Sequence, residues 1–435
     1  VSMSSGEAFQ FAIDSDAEEL KIFVNNAQKG NTLDISSLTK PYKIISQLYS
    51  GGTVDHTLVP NSVDFENNVP SGYKAINTVN LPTPTVTDPS AFFQTKLYTG
   101  NGSTNALTFD GNSDMQPDWL WIKGRSNAGE GVLVDVNRGV SSVLTPDDTV
   151  AAFTDTTAVT SFNSDGFTLG AGDSRNDTND NTKTYVAYAL KAGGAASSNS
   201  DGTITSSVSA ASHGGFSIVT WTGNTTNNTV GHGLSRAPEY IIMKRYSGTY
   251  AWVVGTSGLP SWAYILDLDG HAGATSNGAD YFNSTAPTSS VFSVGTNNGA
   301  NGGSMVAYCF AKTPGMIGMG EYTGNASTDG TTVIIDDGAS GFKPAWLMIK
   351  RALATESWFI FNNQSDPFNP AVHYLMADAT NAENPGTGGN DIDFLANGFK
   401  ARSTNAGTGA ASSYVYLAFA ENPFGGDGVA QAKAR

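Results

Sequence analysis

The sequence is poor in charge, in cysteine and in long apolar runs. Only 14% of its 435 residues are Asp, Glu, Lys or Arg, which deprives long solvent-facing helices and coiled coils of their usual charged faces. A single cysteine, Cys309, excludes an intrachain disulfide framework and a cysteine-based zinc site. No apolar run reaches the roughly 18 residues of a membrane-spanning helix. The opening VSMSSGEAFQ lacks the basic-then-apolar order of a secretion signal, and Val at position 1 predicts further sequence upstream. Bases are outnumbered, 23 against 39 acids, for a net charge of −16. A chain this acidic is repelled by nucleic acid and by anionic lipid surfaces, so neither is an expected partner.

What is abundant is glycine, with 49 residues, and aromatic side chains at 10%. The aromatics exclude a fully disordered chain. The sequence also repeats itself. An aromatic followed by T-G-N occurs at Tyr98–Asn101, Trp221–Asn224 and Tyr322–Asn325. P-D-W-L-W-I-K ends at Lys123, P-E-Y-I-I-M-K at Lys244 and P-A-W-L-M-I-K at Lys350. D-G-F-T-L-G, S-V-F-S-V-G and N-G-F-K-A-R surround Phe167, Phe292 and Phe399, and Y-V-A-Y-A-L-K, M-V-A-Y-C-F-A-K and Y-V-Y-L-A-F-A-E begin at Tyr185, Met305 and Tyr414. The order never changes, and the units are of domain size rather than of the shorter solenoid period.

In W-L-W-I-K, Trp119, Trp121 and Lys123 share one face of a strand, and Leu120 and Ile122 the other. Both faces are apolar, which predicts a central strand buried on two sides and ending in a charge that caps it toward solvent. The runs around Trp252 and Trp358, eight residues after their lysines, read as neighbouring strands. Loops of Gly, Asn, Ser, Thr and Asp lie between, and no helical period is evident. The expectation is all-β: tandem jelly-roll-like sandwiches, strung into an elongated chain. Before them, Phe9, Phe11 and Ile13 alternate in one strand, Glu18–Asn25 forms a second, and Ile44–Tyr49 and Val54–Val59 form two more. Leu81-Pro82-Thr83-Pro84 reads as a stiff linker, Ala192–Ser212 as a small-residue linker, and the tail from Gly425 as frayed.

Catalytic patterns are absent. The five histidines show no H-E-x-x-H, and Gly302-Gly303-Ser304 is followed by Met305 and Val306 rather than completing a nucleophile elbow. The acids fall in turns, where solvation explains them; paired carboxylates for glycan cleavage would have to come from distant positions. Calcium needs several hard oxygens, and the Asx-rich loop carrying Asp173, Asp177 and Asp180 is the candidate site, with Asp267 and Asp269 second. A solvated Asx turn is the competing reading of each. Trp119, Tyr240 and Trp346 recur at one position and belong to the core. Trp262 has no counterpart in the other units and follows the G-L-P-S turn. It is the candidate exposed ring for stacking on a sugar, weighed against an ordinary core or rim position.

The stretches G-Y-K-A-I-N-T-V-N-L-P-T-P-T-V, T-K-L-Y-T-G-N-G-S-T, P-D-W-L-W-I-K-G-R-S and Y-V-Y-L-A-F-A-E-N-P-F resemble a group of tailed-bacteriophage virion proteins. In these, a SPRY-like β-sandwich precedes concanavalin-like or laminin-G-like sandwich units. The resemblance implies residues 1–85 as the later part of a SPRY-like sandwich, sandwiches over 92–192, 213–314 and 317–424, and a tail over 425–435. It implies no catalytic residues. It implies a non-enzymatic structural protein on the virion exterior, of tail-fibre or appendage type, adhering to host surface glycan. The expected partners are other virion proteins and further copies of the chain, a trimer for a fibre. A capsid decoration, head fibre or connector without receptor binding is the alternative, ahead of a polysaccharide-degrading enzyme or secreted adhesin.

Overall fold

The computed structural model describes residues 9–14, 16–37, 69–75, 78–172, 177–426 and 432. The named strands among these residues all pair antiparallel, and the only α-helices among them are the short Gly278–Phe282 and Asn298–Asn301. The all-β expectation therefore holds. None of the described helices is long and apolar enough to cross a membrane. The chain divides into two compact units at Pro82/Thr83.

In the first unit, the strands Phe9–Asp14, Glu19–Val24, Ala27–Gln28 and Leu33–Asp34 share a sheet. Asn25 and Asn26 make the tight turn after Val24, both in the left-handed region at φ 49° and 65°, where asparagine is the commonest non-glycine residue. The expected face is reversed: Ala12 is buried and Phe11 is 43% exposed. The expected strands Ile44–Tyr49 and Val54–Val59 lie outside the described residues.

In the second unit, each repeat folds into a two-layered sandwich. The first pairs a four-stranded sheet, in the order Phe93–Thr99, Thr184–Leu190, Trp119–Gly124, Val132–Asp135, with a three-stranded one. The third pairs a five-stranded sheet, beginning Ile317–Thr323, Ser413–Pro423, Phe342–Arg351, with another three-stranded one. The second has seven strands opposite two, because Ser197–Asn199 and Ser206–Ala210 join its edge. The small-residue segment thus contributes two edge strands to the second sandwich and is not a plain linker.

Period-two alternation assigns the core of each sandwich. Leu120, Ile122, Tyr185, Ala187 and Ala189 point into the first sandwich. Ile241, Met243, Met305, Ala307 and Cys309 do so in the second, and Leu347, Ile349, Tyr414, Tyr416 and Ala418 in the third. The opposite faces do not meet water. Trp119, Trp121, Val186, Tyr188 and Leu190 pack with Tyr240, Ile242, Val306, Tyr308 and Phe310, and with Trp346, Met348, Val415, Leu417 and Phe419, in one shared core. This is why both faces of every central strand read as apolar. An elongated string would leave those aromatic faces exposed, at about 1.5–3 kcal/mol per large side chain; instead the three sandwiches close on one another.

The closure is cyclic. Glu383 N donates to Arg125 O at 2.9 Å, Ala152 N to Tyr246 O at 2.9 Å and Ala274 N to Ala352 O at 2.7 Å. Gly129 N donates to Thr380 O at 2.8 Å, Tyr250 N to Thr149 O at 2.9 Å and Glu356 N to His271 O at 2.8 Å. The same two bonds join first to second, second to third and third back to first. The unit is a ring of three pseudo-equivalent sandwiches built from one polypeptide.

The T-G-N anchors have a steric origin. A Cβ on Gly100, Gly223 or Gly324 would lie 2.1 Å from Asp180 O, 2.3 Å from Asn301 C and 2.1 Å from Ala410 O respectively. Only glycine lets these turns approach that closely. The following Asn101, Asn224 and Asn325 accept the backbone N–H two residues on, at 2.9, 3.2 and 3.1 Å, as Asx turns do.

Candidate functional site

The anchor lysines are structural. Lys123, Lys244 and Lys350 are at most 1% exposed, so the expected solvent-facing cap is corrected. The neighbouring sandwich covers each strand end and supplies an acceptor: Ala379 O for Lys123 at 3.0 Å, Thr149 O for Lys244 at 2.7 Å and His271 O for Lys350 at 3.3 Å. Asp147, Asp269 and Asp378 each accept the N–H of the equivalent residue, Gly131, Trp252 or Trp358, at 3.0 Å. Asp147 also lies 3.2 Å from Lys123. Burial pushes Lys244 and Lys350 down to about 8 despite the pull of Asp269 and Asp378, and it pushes Asp269 up to about 6. Trp252 and Trp358 donate across the seams to Thr145 O and Asp267 O, each at 2.9 Å. Gly131 stands at that position in the first sandwich, where a Cβ would lie 3.0 Å from Trp121 Nε1, so Trp121 fills the space from the adjacent strand.

Trp262 is not an exposed ring. It is 7% exposed and packs edge-on to Phe282 at 5.2 Å. Gly255 makes the room, since a Cβ there would lie 2.7 Å from the Trp262 ring. Phe368 occupies the corresponding loop of the third sandwich. Both rings fall six residues after the end of the same strand, at Thr256 and Asn362. Where the second sandwich has Gly255, paired with Ile241, the third has Phe361, paired with Leu347. Phe361 fills the space, and Phe368 is left 78% exposed. Its loop is held by Asn369, whose side chain bonds Phe394 N at 2.8 Å and Phe394 O at 2.9 Å. Asp366 holds the other side, accepting from Val372 N and His373 N at 2.9 and 2.8 Å.

Of the candidate calcium ligands, Asp173 lies outside the described residues. Asp177 accepts from the Tyr185 hydroxyl, from the Asn127 amide and from Asp180 N, and the Asp180 side chain is exposed. No group of three His, Cys, Asp or Glu among the described residues could hold a metal ion. Asp267 and Asp269 sit at the seam described above.

Nucleophilic constellations are missing among the described residues. Burial pushes the Cys309 thiol far up. His373 Nδ1 lies 2.7 Å from Asp366 Oδ1, but no Ser, Thr or Cys hydrogen-bonds to its other nitrogen. His232 is buried between Leu234 N and Thr288 O, and His213 accepts Gly215 N while burial lowers it to about 4.

Two clefts remain. One, of about 220 Å³, is lined by small residues including Ser197, Ser198, Asn199 and Ser209. The other, of about 270 Å³, lies on the seam between the second and third sandwiches, with Ser257, Gly258 and Lys312 on one side and Gly320, Glu321, Ile334, Asp336 and Tyr416 on the other. Lys312 spans it, 2.8 Å from Asp336 and 3.4 Å from Glu239. The Tyr416 hydroxyl accepts Asp336 N at 3.0 Å, and burial pushes it up to about 12, so it stays protonated. Ile334 is 61% exposed. Sequence reasoning missed this cleft because its residues come from strands far apart in the chain; Gly258, inside the G-L-P-S turn, was the only signal.

No curated protein and no solved structure matches the chain. One family does: its sequence profile, described only as a domain of unknown function, matches residues 88–423. That span contains all three sandwiches and most of the chain, so the chain belongs to the DUF7483 family.

Proposed function

We propose that the chain is a non-enzymatic structural protein of a bacteriophage virion, of tail-fibre or appendage type, exposed on the particle exterior and adhering to host surface glycan. The observation that supports this reading is the use made of the recurring residues. The T-G-N turns, central aromatics, lysines and aspartates all serve close approach, shared core or seam. The T-G-N turns, central aromatics, seam lysines and seam aspartates line neither of the two clefts described; of the recurring anchors, Lys312 and Tyr416 reach one of them. A scaffold of this kind presents variable loops from a rigid body, and weak single sites act together when several copies are displayed. Other virion proteins and further copies of the chain, a trimer in a fibre, are the proposed partners.

The test has two arms. Antibody against the purified chain should label the outside of intact particles of the encoding phage, and the chain should be retained by host envelope polysaccharide. Labelling without retention would favour the architectural decoration or connector. A fall in polysaccharide viscosity on incubation would overturn the non-enzymatic reading, and unlabelled particles would overturn the virion assignment.

A further inference from the structure

We infer that the cleft on the seam between the second and third sandwiches is a binding site for a single pyranose ring. This rests on the adhesive reading above and gives it a location. The threefold arrangement supplies an internal comparison. Gly258 falls two residues beyond the strand end Thr256, and Asn137 falls two beyond Asp135. On the first seam the Asn137 amide crosses to the second sandwich and donates to Ser207 O at 3.1 Å and Ile218 O at 2.9 Å. On the second seam Gly258 has no side chain to cross with, and a Cβ there would already lie 3.0 Å from Gly320 O and from Val415. The position that sends an amide across one seam brings only backbone to the next, packed closely against Gly320 beside the cleft.

The walls differ from the other seams as well. Tyr416 pairs with Gly320 in the third sandwich; the residues in its place are Ala307, paired with Val219, and Ala187, paired with Lys96. Tyr416 is itself only 2% exposed. Its oxygen already accepts from Asp336 N, and no acceptor among the described residues takes its own proton. The cleft therefore combines a hydroxyl donor, the Lys312 ammonium, the carboxylates of Asp336 and Glu321, the Ser257 hydroxyl and one apolar wall, Ile334. Donors and acceptors of both signs beside a single apolar face match a polyhydroxylated ring, whose edge exchanges hydrogen bonds and whose C–H face packs on Ile334. A phosphate or a simple carboxylate would meet two carboxylates at close range. The volume is below the ~300–1,000 Å³ of sites for drug-sized ligands, which suits one ring rather than an oligosaccharide.

The test uses the full chain and saturation-transfer NMR with methyl α-mannopyranoside, methyl β-galactopyranoside and N-acetylglucosamine at millimolar concentration. At least one should give a saturable signal. Ile334→Ser, at an exposed position, and Tyr416→Phe, which removes one oxygen, should each weaken it about five- to tenfold. Gly258→Asn should abolish it by forcing a side chain into the close approach to Gly320 at the cleft wall. Phe368→Ser, at an exposed apolar residue away from the cleft, should leave it unchanged. The inference is overturned if no sugar gives a signal, if Ile334→Ser and Tyr416→Phe bind as wild type does, or if only Phe368→Ser loses binding. In each of those cases retention on whole envelope polysaccharide still reports separately on the adhesive reading.

Discussion

Replacing Lys350 by Met should flatten the pH dependence of stability. Lys350 is fully buried, and burial lowers it from 10.5 to about 8; Lys244 behaves alike. Between those two values the native state holds fewer protons than the unfolded chain, so stability rises with pH across that window. Above about pH 10 the unfolded tyrosines ionise while buried ones such as Tyr188, Tyr240 and Tyr308 resist, which drives stability down again. The usable range is therefore about pH 8 to 9.5. Over it, each of the two lysines contributes a gain of ~1.5 kcal/mol, at 1.36 kcal/mol per pH unit of proton difference and allowing for partial titration at the lower end. Urea midpoints followed by tryptophan fluorescence should rise over this range for the wild type. Relative to wild type, the gain should be smaller by about 1.5 kcal/mol for Lys350→Met and by about 3 kcal/mol for the variant that also carries Lys244→Met, while the raised Cys309 thiol and tyrosines pull all three down equally. The rising repulsion of an already acidic chain is common to all three proteins, so the differences between slopes isolate the lysines. Equal slopes in wild type and double variant would refute the assignment of these ammonium groups to a dry seam.

Other outcomes follow from the same packing. Tyr308→Phe removes the hydroxyl that donates to Asp135 at 2.7 Å and leaves that fully buried carboxylate with fewer donors; urea unfolding should show a loss of about 1–3 kcal/mol. Gly324→Ala forces a Cβ to within 2.1 Å of Ala410 O, and the melting temperature should fall well below that of Gly30→Ala, where nothing lies within 4 Å and only the left-handed backbone is strained. His213 is lowered from 6.5 to about 4 by burial, so the unfolded chain binds more protons between those values. Stability should fall as pH drops through that interval, by up to ~3 kcal/mol, and His213→Gln should remove that part of the slope.

Much of the fold was legible from alternation alone. Trp119-Leu120-Trp121-Ile122 announced a strand apolar on both faces, and it is one. What alternation could not reveal was the identity of the second covering layer. A strand carries no mark that distinguishes a neighbour in its own sandwich from one in the next repeat, so a string and a closed ring read alike. The lysines misled for a related reason: a charge at a strand end signals solvent unless a backbone carbonyl from a distant repeat arrives to receive it. The exposed ring was sought in the right loop and the wrong repeat. Whether that ring turns in or out is decided by Gly255 or Phe361 on a neighbouring strand, outside the window in which Trp262 was read. The seam cleft was beyond reach because Gly258, Lys312 and Tyr416 become neighbours only when the ring closes.

A closed ring of three made by one polypeptide differs in its genetics from a ring of three identical chains. In a homotrimer every substitution lands at three places at once, and a residue that suits one contact must suit all. Here each place is written separately. The equivalents of Tyr308 are Tyr188, which meets Asn362 rather than Asp135, and Leu417, which has no hydroxyl to offer. One junction can thus keep a hydroxyl on a buried carboxylate, another a hydroxyl on an amide, while the remaining one carries a leucine beside a cleft, and a threefold frame can carry a one-sided face without losing its closure.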